Sequence, residues 1–225
     1  MFSLSSCDHS GESDPTGIEL DLDVSTLKTL IVEITSDDLI MLQGEGLKLN
    51  IAIKVNNTFD VVWQSISNYE SSNTYQWSQD FQVFASNEFQ EDVTVESETN
   101  LVNVELGQEV TLNPIGVLGP AMDGGPAGSI SFINDFGPIH PGLSQQLTDP
   151  AGVQEILPAY ISPNLIVPGI DELLTPIDEV MVWFEDTETG TMFSDPRSNP
   201  FVADLTEINE LTVLFSNGEW SIPPP

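Results

Sequence analysis

The chain has 225 residues, of which 36 are acidic and four are basic, so its formal net charge is −32 although 40% of its residues are hydrophobic. A charge of this sign repels phosphate backbones and anionic headgroups, which argues against nucleic-acid binding and against electrostatic docking on a membrane. The hydrophobic content is high enough to bury a core, so we expect the chain to fold despite its charge. Its length fits one large β domain.

The beginning of the chain is polar. We expect residues 1–17 to form a flexible arm ahead of a single β-sandwich domain that spans 18–225 and binds a ligand. Met1 is followed by neither a basic segment nor a continuous apolar run, so no secretory leader is predicted. Cys7 is the only cysteine, which precludes an intrachain disulfide and is typical of a reducing compartment. A cytoplasmic protein is therefore expected.

From residue 18 onward the pattern predicts β-structure. Branched residues mark strands in 31–35, 39–42 and 47–55, and the apolar-polar alternation of 47–55 is the clearest strand signal. Asn56-Asn57 predicts a turn before a return strand over 60–66. A further strand is predicted over 75–85, with shorter strands near Val93, Val102 and Val110.

The second half of the chain adds two predicted helical turns and more strands. Asp149-Pro150 favours a short helix running to Leu157, because Asp caps helices and Pro suits the first helical position. Another short helix is predicted in 204–210, strands in 129–133 and 180–184, a hairpin connection in 186–191, and a final hairpin in 211–220 that turns at Asn217-Gly218. The fold class that follows is all-β: an antiparallel β-sandwich with long Gly/Pro-rich loops and at most short helices.

The segment 113–146 differs in composition from its surroundings, because glycines and prolines are dense and Asp123 and Asp135 are its only acids. Glycine permits unusual backbone angles and proline restricts them, so an ordered loop system is predicted. Loops held by a rigid scaffold often carry binding sites. His140, between Pro138 and Pro141, is the candidate for a fixed polar group that orients a ligand. A pair of purely structural connections is the alternative.

Aromatic side chains suggest where an apolar ligand would lie. A flat ligand needs ring contacts and a few polar partners, so we predict a pocket between segment 113–146 and the aromatic strand faces. The predicted ligand-binding residues are Trp63, Trp77, Phe81, Phe136, His140 and Trp183. A core built from the same rings is the alternative.

Carboxylates suggest a cation site. Magnesium and calcium prefer oxygen ligands, and the predicted ligands are Asp21, Asp23, Asp135, Asp186 and Glu188. Acidic turns exposed to solvent are the alternative, and a complete calcium-loop pattern is absent from the sequence. The sequence also lacks a nucleophile elbow of the Gly-x-Ser-x-Gly type, so we do not expect an enzyme.

Two segments carry a resemblance, Tyr75-Gln76-Trp77-Ser78-Gln79-Asp80-Phe81-Gln82-Val83-Phe84 and Phe136-Gly137-Pro138-Ile139-His140-Pro141-Gly142-Leu143-Ser144. With the acidic, disulfide-free composition, they resemble the fruiting-body proteins of mushrooms, in particular the pink chromoproteins of oyster mushrooms. The resemblance covers most of the chain from residue 18. It implies a non-enzymatic β-sandwich that holds a conjugated organic chromophore of the polyene type non-covalently, together with a divalent cation.

Two other functions stay open. A carbohydrate-binding fruiting-body lectin is the second hypothesis, and a hydrolase that uses a pair of carboxylates is the third. The expected partner is a small-molecule pigment, and neither nucleic acid nor a membrane is expected. Whether two copies form a homodimer is left open.

Overall fold

A computed structural model of the protein describes residues 27–194 and 199–224. Within these ranges the chain forms fifteen strands and one helix, α1 (Ser36–Gly44). The strands are β1 (Lys28–Ile34), β2 (Lys48–Val55), β3 (Gln64–Ile66), β4 (Ser72–Ser86), β5 (Val102–Val104), β6 (Gln108–Leu112), β7 (Met122–Asp123), β8 (Ile130–Asn134), β9 (His140–Thr148), β10 (Gln154–Ile161), β11 (Glu172–Leu174), β12 (Pro176–Glu185), β13 (Phe201–Asp204), β14 (Glu210–Ser216) and β15 (Glu219–Ser221).

The strands form three sheets. Sheet I has seven strands in the order β10-β9-β4-β1-β14-β15, with β5 added to β4. Sheet II has the order β13-β12-β2-β3, and sheet III has the order β11-β8-β6-β7. Most neighbouring strands are antiparallel, but β1 with β14 and β6 with β8 are parallel. The predicted all-β sandwich is thus confirmed, with two parallel pairs that the sequence did not predict.

Sheet I forms one layer of the sandwich, and sheets II and III both pack against it. Strand β9 shows this most simply, since Leu143, Gln145 and Leu147 alternate along the strand and are all buried. Leu147 belongs to the hydrophobic cluster shared with sheet II, whereas Leu143 belongs to the cluster shared with sheet III. One face of one strand therefore contributes to two adjoining cores.

Several predicted elements are confirmed. Strand β2 occupies Lys48–Val55 and alternates as predicted, and the turn after it places Asn56 and Asn57 in the left-handed region, at φ of 50° and 70°. The final hairpin joins β14 and β15 through Asn217 and Gly218, both with positive φ, as the strand twist requires of a two-residue turn.

The predicted strand over 39–42 is wrong, since this segment lies in helix α1. The acidic residues Asp37 and Asp38 occupy the first helical turn, where negative charge is favourable, and the Thr35 hydroxyl donates a hydrogen bond to the Asp38 carboxylate. That carboxylate also accepts hydrogen bonds from the backbone of Asn217 and Gly218, so it ties the helix to the final hairpin.

The two predicted short helices are also wrong. Asp149 begins a hairpin turn, in which its N–H donates to the carbonyl of Val153 and Gly152 has a φ of 79°, and the chain continues as edge strand β10. Pairing with β9 therefore overrides the local helix signal. Residues 204–210 contain the end of β13 and a turn in which Asp204 accepts hydrogen bonds from Thr206.

Three boundaries differ from the prediction. In the predicted strand over 60–66, only Gln64–Ile66 pairs continuously, while Val61 makes an isolated bridge. No strand forms near Val93, where Thr94 makes a single bridge to Thr191. His140, predicted in a loop, is the first residue of β9. The described part of the chain has no helix long and apolar enough to cross a membrane.

Candidate ligand-binding groove

Three loops meet at Asn134, the fully buried last residue of β8. Its amide nitrogen donates to the carbonyls of Gly137 and Ile166, at 2.8 and 3.3 Å, and its side-chain oxygen accepts from the N–H of Phe136. Its own carbonyl accepts from the N–H of Gly169 at 2.7 Å. One side chain and its backbone thus join loop 135–139 to loop 163–171. Since Leu112 is its register partner in β6, loop 113–117 begins beside it.

The three loops expose apolar side chains that a folded domain would ordinarily bury. Phe136 is 45% exposed and lies over Gly116, where an added Cβ would come within 3.2 Å of the ring. We call the following set the apolar loop end: Ile115, Val117, Phe136, Leu165, Val167 and Ile170. Exposed apolar side chains concentrated in one region often mark a binding site.

Loop 163–171 forms a groove of about 350 Å³. Its lining is mainly apolar, and the polar exceptions are Asn164, Asp171 and Glu172: the groove residues are Asn164, Leu165, Ile166, Val167, Ile170, Asp171 and Glu172. This volume falls within the range of roughly 300 to 1,000 Å³ that small-molecule sites occupy. An apolar wall with a few polar groups is also their usual composition.

Glu172 is the chemically distinctive residue of the groove. The Ser162 hydroxyl donates to its Oε1 at 2.6 Å, while its Oε2 is buried and has no hydrogen-bond partner in the part of the chain that the structure describes. Burial raises the pKa of the Glu172 carboxyl, against the opposing effects of the Ser162 hydroxyl and the neighbouring Asn164 side chain. The groove therefore carries one carboxyl group that binds a proton more readily than an ordinary glutamate.

His140 is connected to this carboxyl through Ser162, whose hydroxyl binds Glu172 and whose carbonyl binds the imidazole. Its Nδ1 is 2.8 Å from the carbonyl oxygen of Ser162, to which it donates, and its ring lies near that of Phe89, with 6.0 Å between centroids. His140 does not line the groove. The buried hydroxyl of Tyr160, whose pKa burial raises to about 12, stays protonated nearby and lies 3.3 Å from the Asn56 amide.

The predicted pocket combined loop segment 113–146 with the rings of Trp63, Trp77, Phe81 and Trp183, and the structure separates these groups. Trp63 and Trp77 contact each other edge to face, at 5.9 Å between centroids, inside the core between sheets I and II. Phe81 is buried in the core between sheets I and III. These three rings are buried core residues, which was the alternative interpretation of the aromatic pattern, and Phe81 also forms part of the wall of a polar cleft on sheet I.

Trp183 lies in another place, at the base of an acidic cleft. Its ring packs against Phe193 at 5.3 Å and its indole N–H donates to Glu185. The cleft also includes Glu91, Asp92 and Asp186, but its volume is about 90 Å³. A space of this size is well below the roughly 300 Å³ of a typical small-molecule site.

The predicted cation ligands do not come together in the described residues. Asp186 and Glu188 both bind the ammonium group of Lys48, at 3.1 and 2.5 Å, and so neutralise a residue of the chain itself. Asp135 is exposed at the end of β8. Asp21 and Asp23 lie outside the described residues, and within 27–194 and 199–224 no three His, Cys, Asp or Glu side chains are arranged to hold a metal ion. The magnesium or calcium site stays a prediction.

Sequence reasoning missed loop 163–171 and Glu172. A signal was present, because Pro163, Pro168 and Gly169 enclose the apolar run Leu165-Ile166-Val167 in the same way that glycines and prolines punctuate segment 113–146. The unusual state of Glu172 carried no signal, since it depends on contacts with Ser162 that a long turn brings about.

Comparison with known proteins adds no identification. No protein-family model matches the chain, and neither a curated protein nor a solved structure matches it. The function must therefore be argued from the geometry of the chain itself.

Proposed function

We propose that the protein is a non-enzymatic cytoplasmic carrier of an apolar conjugated molecule, a pigment of the polyene type, held non-covalently in the groove of loop 163–171. The observation that carries the proposal is the apolar groove beside the apolar loop end in a chain whose net charge is −32. Such a chain has many acids with which to cover exposed surface, yet here it exposes branched aliphatic side chains and a phenylalanine. An apolar ligand would bury them.

The polar groups of the groove favour a ligand with a hydrogen-bonding end. Asn164 and Glu172 lie in its wall, and the Glu172 carboxyl can accept a hydrogen bond from a ligand hydroxyl or, when protonated, donate one to a carbonyl. The apolar remainder of the ligand would contact Leu165, Val167 and Ile170. The resemblance to pigmented mushroom proteins agrees with this ligand class.

The test uses retinol, a neutral conjugated polyene alcohol, as the probe. Retinol fluorescence should rise and saturate when the full chain is added, because the polyene leaves water for an apolar wall. Val167→Asp should weaken binding at least tenfold, since a carboxylate in the groove would be desolvated by the ligand.

The matched control is Ile40→Asp, which makes the same kind of change at an exposed position of helix α1, where the side chain is 72% exposed. We expect Ile40→Asp to bind retinol as the native chain does. Equal retinol binding by the Val167→Asp variant and the native chain, or no saturable binding by the native chain, would overturn the proposal.

A further inference from the structure

Strand β4 changes its neighbour halfway along its length. Residues 72–77 pair with β1 and residues 81–83 pair with β5, on the same edge of the strand. Its other edge pairs with β9 from Gln76 to Ser86, but the register shifts between Trp77 and Phe81. Ser78, Gln79 and Asp80 therefore form a bulge with no ladder partner on the edge where β1 ends and β5 begins. Bulges of this kind redirect side chains and often lie next to functional sites.

The bulge opens a polar cleft of about 340 Å³ on sheet I. Its walls come from the bulge and the buried Phe81 of β4, from β5 and the turn after it, from Gln108, and from β9 and β10, and they include Gln79, Asp80, Asn103, Glu105, Gln146 and Ile156. Gln146 and Ile156 are register partners, so their side chains share one face of the sheet. We call this space the bulge cleft.

Many hydrogen-bonding groups of the bulge cleft are not used within the described residues. The Gln79 amide is exposed and makes no hydrogen bond there. The Asn103 oxygen accepts from Gln82, which leaves its amide nitrogen for a ligand, and the Gln146 nitrogen donates to the Ser78 hydroxyl, which leaves its oxygen. Asp80 uses one carboxylate oxygen to accept from Ser78. The cleft thus offers both donors and acceptors.

The chemistry of the lining restricts the ligand class. The described residues that line the cleft include no basic side chain, and Asp80 and Glu105 are acidic, so phosphates and carboxylates would be repelled. No third His, Cys, Asp or Glu of the described residues joins these two carboxylates to form a metal site. Hydroxyl groups both donate and accept, and planar amides and carboxylates suit them. Ile156, which is 42% exposed, supplies an apolar surface for the C–H face of a ring.

We propose that the bulge cleft binds a neutral polyhydroxylated molecule, namely a mono- or oligosaccharide. This inference is independent of the groove of loop 163–171, since the two sites share no lining residue. The only aromatic ring among the described residues that line the bulge cleft is that of Phe81, which is buried and offers no face for a sugar to stack on. Binding of one monosaccharide should therefore be weak, with a Kd on the order of 1 mM.

The experiment is saturation-transfer difference NMR of the full chain with glucose, galactose, mannose and N-acetylglucosamine, followed by a titration to obtain Kd. At least one neutral sugar should give a saturable signal, and glucuronate should give none because its carboxylate faces Asp80 and Glu105. Gln79→Ala should weaken binding at least fivefold, since the Gln79 amide has no hydrogen bond to another described residue and its loss would act on the ligand.

The control is Gln90→Ala, which removes an exposed amide that does not line the cleft. It should leave sugar binding unchanged, as should Val167→Asp in the other groove. Absence of a saturable signal for every neutral sugar, or sugar binding that Gln79→Ala leaves unchanged, would overturn this inference. Because the exposed Gln79 side chain makes no hydrogen bond to the rest of the described chain, its removal should not impair folding, and the thermal unfolding midpoint of the variant checks this.

Discussion

Two regions of the molecule are held together by different chemistry. Along β1, β2 and β12, all three lysines of the chain bind acids of β12 or of the turn after it: Lys28 binds Asp178, Lys54 binds Glu179, and Lys48 binds Asp186 and Glu188. We call this the lysine region. At the apolar loop end no lysine is present, and the neutral amide of Asn134 joins the loops.

A bulge in β12 lets two adjacent acids bind lysines of two different strands. The register of β12 against β2 shifts between Ile177 and Val180, so Asp178 and Glu179 fall inside the irregularity. Asp178 lies 3.5 Å from Lys28, and Glu179 lies 2.8 Å from Lys54 on another strand. A bulge can turn adjacent side chains toward different neighbours. The lysine region therefore depends on charge, whereas the apolar loop end depends on hydrogen-bond geometry and should tolerate changes in salt.

The largest effect is expected from Asn134→Asp. The variant keeps the shape of the side chain but loses both donors, to Gly137 and Ile166, and buries a carboxylate beside two carbonyls. We expect a loss of about 4 kcal/mol in the free energy of unfolding, measured by urea denaturation.

Asn113→Asp is the matched control for this comparison. The Asn113 side-chain oxygen accepts from the N–H groups of Ile115 and Val117, at 3.0 and 3.1 Å, and aspartate keeps both bonds. Its cost should be within about 0.5 kcal/mol. If the two variants destabilise the protein equally, the hydrogen bonds of the Asn134 amide do not hold the loops together.

The next effect concerns Lys28, the buried cation of the lysine region. Its ammonium group donates to the carbonyls of Leu205 and Ile208, at 2.6 and 3.0 Å, in addition to its pairing with Asp178. Lys28→Met removes this donor from the Ile208 carbonyl and leaves the Leu205 carbonyl with only the 3.4 Å hydrogen bond from the Ile208 N–H, so it should cost about 2 to 3 kcal/mol in urea denaturation. Lys54→Met removes a partly exposed pair and should cost less than about 1 kcal/mol. A cost for Lys28→Met no larger than that for Lys54→Met would contradict the assigned role of Lys28.

A smaller effect is expected from Glu172→Gln, through pH. Because burial raises the pKa of Glu172 in the folded state, the folded protein binds its proton more tightly than the unfolded chain. The stabilisation of the folded state by this bound proton is fully present below the ordinary pKa of 4.5 and is lost as pH rises through the raised pKa. Glutamine cannot ionise, so the variant should be more stable than the native chain at pH 7 by about 0.5 kcal/mol after allowance for solvent screening. It should show no such gain at pH 4, and a gain of the same size at both pH values would refute this explanation.

The smallest effect concerns salt. The 32 excess negative charges repel one another, so the thermal unfolding midpoint should rise from about 10 mM to about 500 mM sodium chloride. Lys48→Gln removes a cation whose partners Asp186 and Glu188 are mostly exposed, and should cost about 0.5 kcal/mol at low salt and nothing measurable at high salt. A midpoint that does not change with salt would show that repulsion contributes little to stability.

Local patterns in the sequence were sufficient to predict the β class and several of its strands. The alternation of β2 and the Asn217-Gly218 turn follow from the geometry of a few consecutive residues, so no long-range contact was needed to find them. The charge imbalance likewise argues against nucleic acids and anionic membranes as partners without any knowledge of the fold. Where local signals were weak or conflicting, tertiary contacts determined the outcome: 149–157 pairs with the preceding strand β9, and the helix that contains 39–42 is bonded to the distant final hairpin.

The candidate sites depend on contacts between segments far apart in the chain. Alternation indicates that a strand has two faces but not which neighbour covers each face. The sequence therefore left Trp63 and Trp77 compatible with a pocket or with a core, and the packing of sheets I and II makes them core residues. Asn134, Glu172 and Gln79 are ordinary residues in the sequence. Asn134 and Glu172 acquire a role because crossing connections bring loop 163–171 to the end of β8, and Gln79 because β4 passes from β1 to β5. Such neighbours are set by the path of the whole chain and not by the residues beside them.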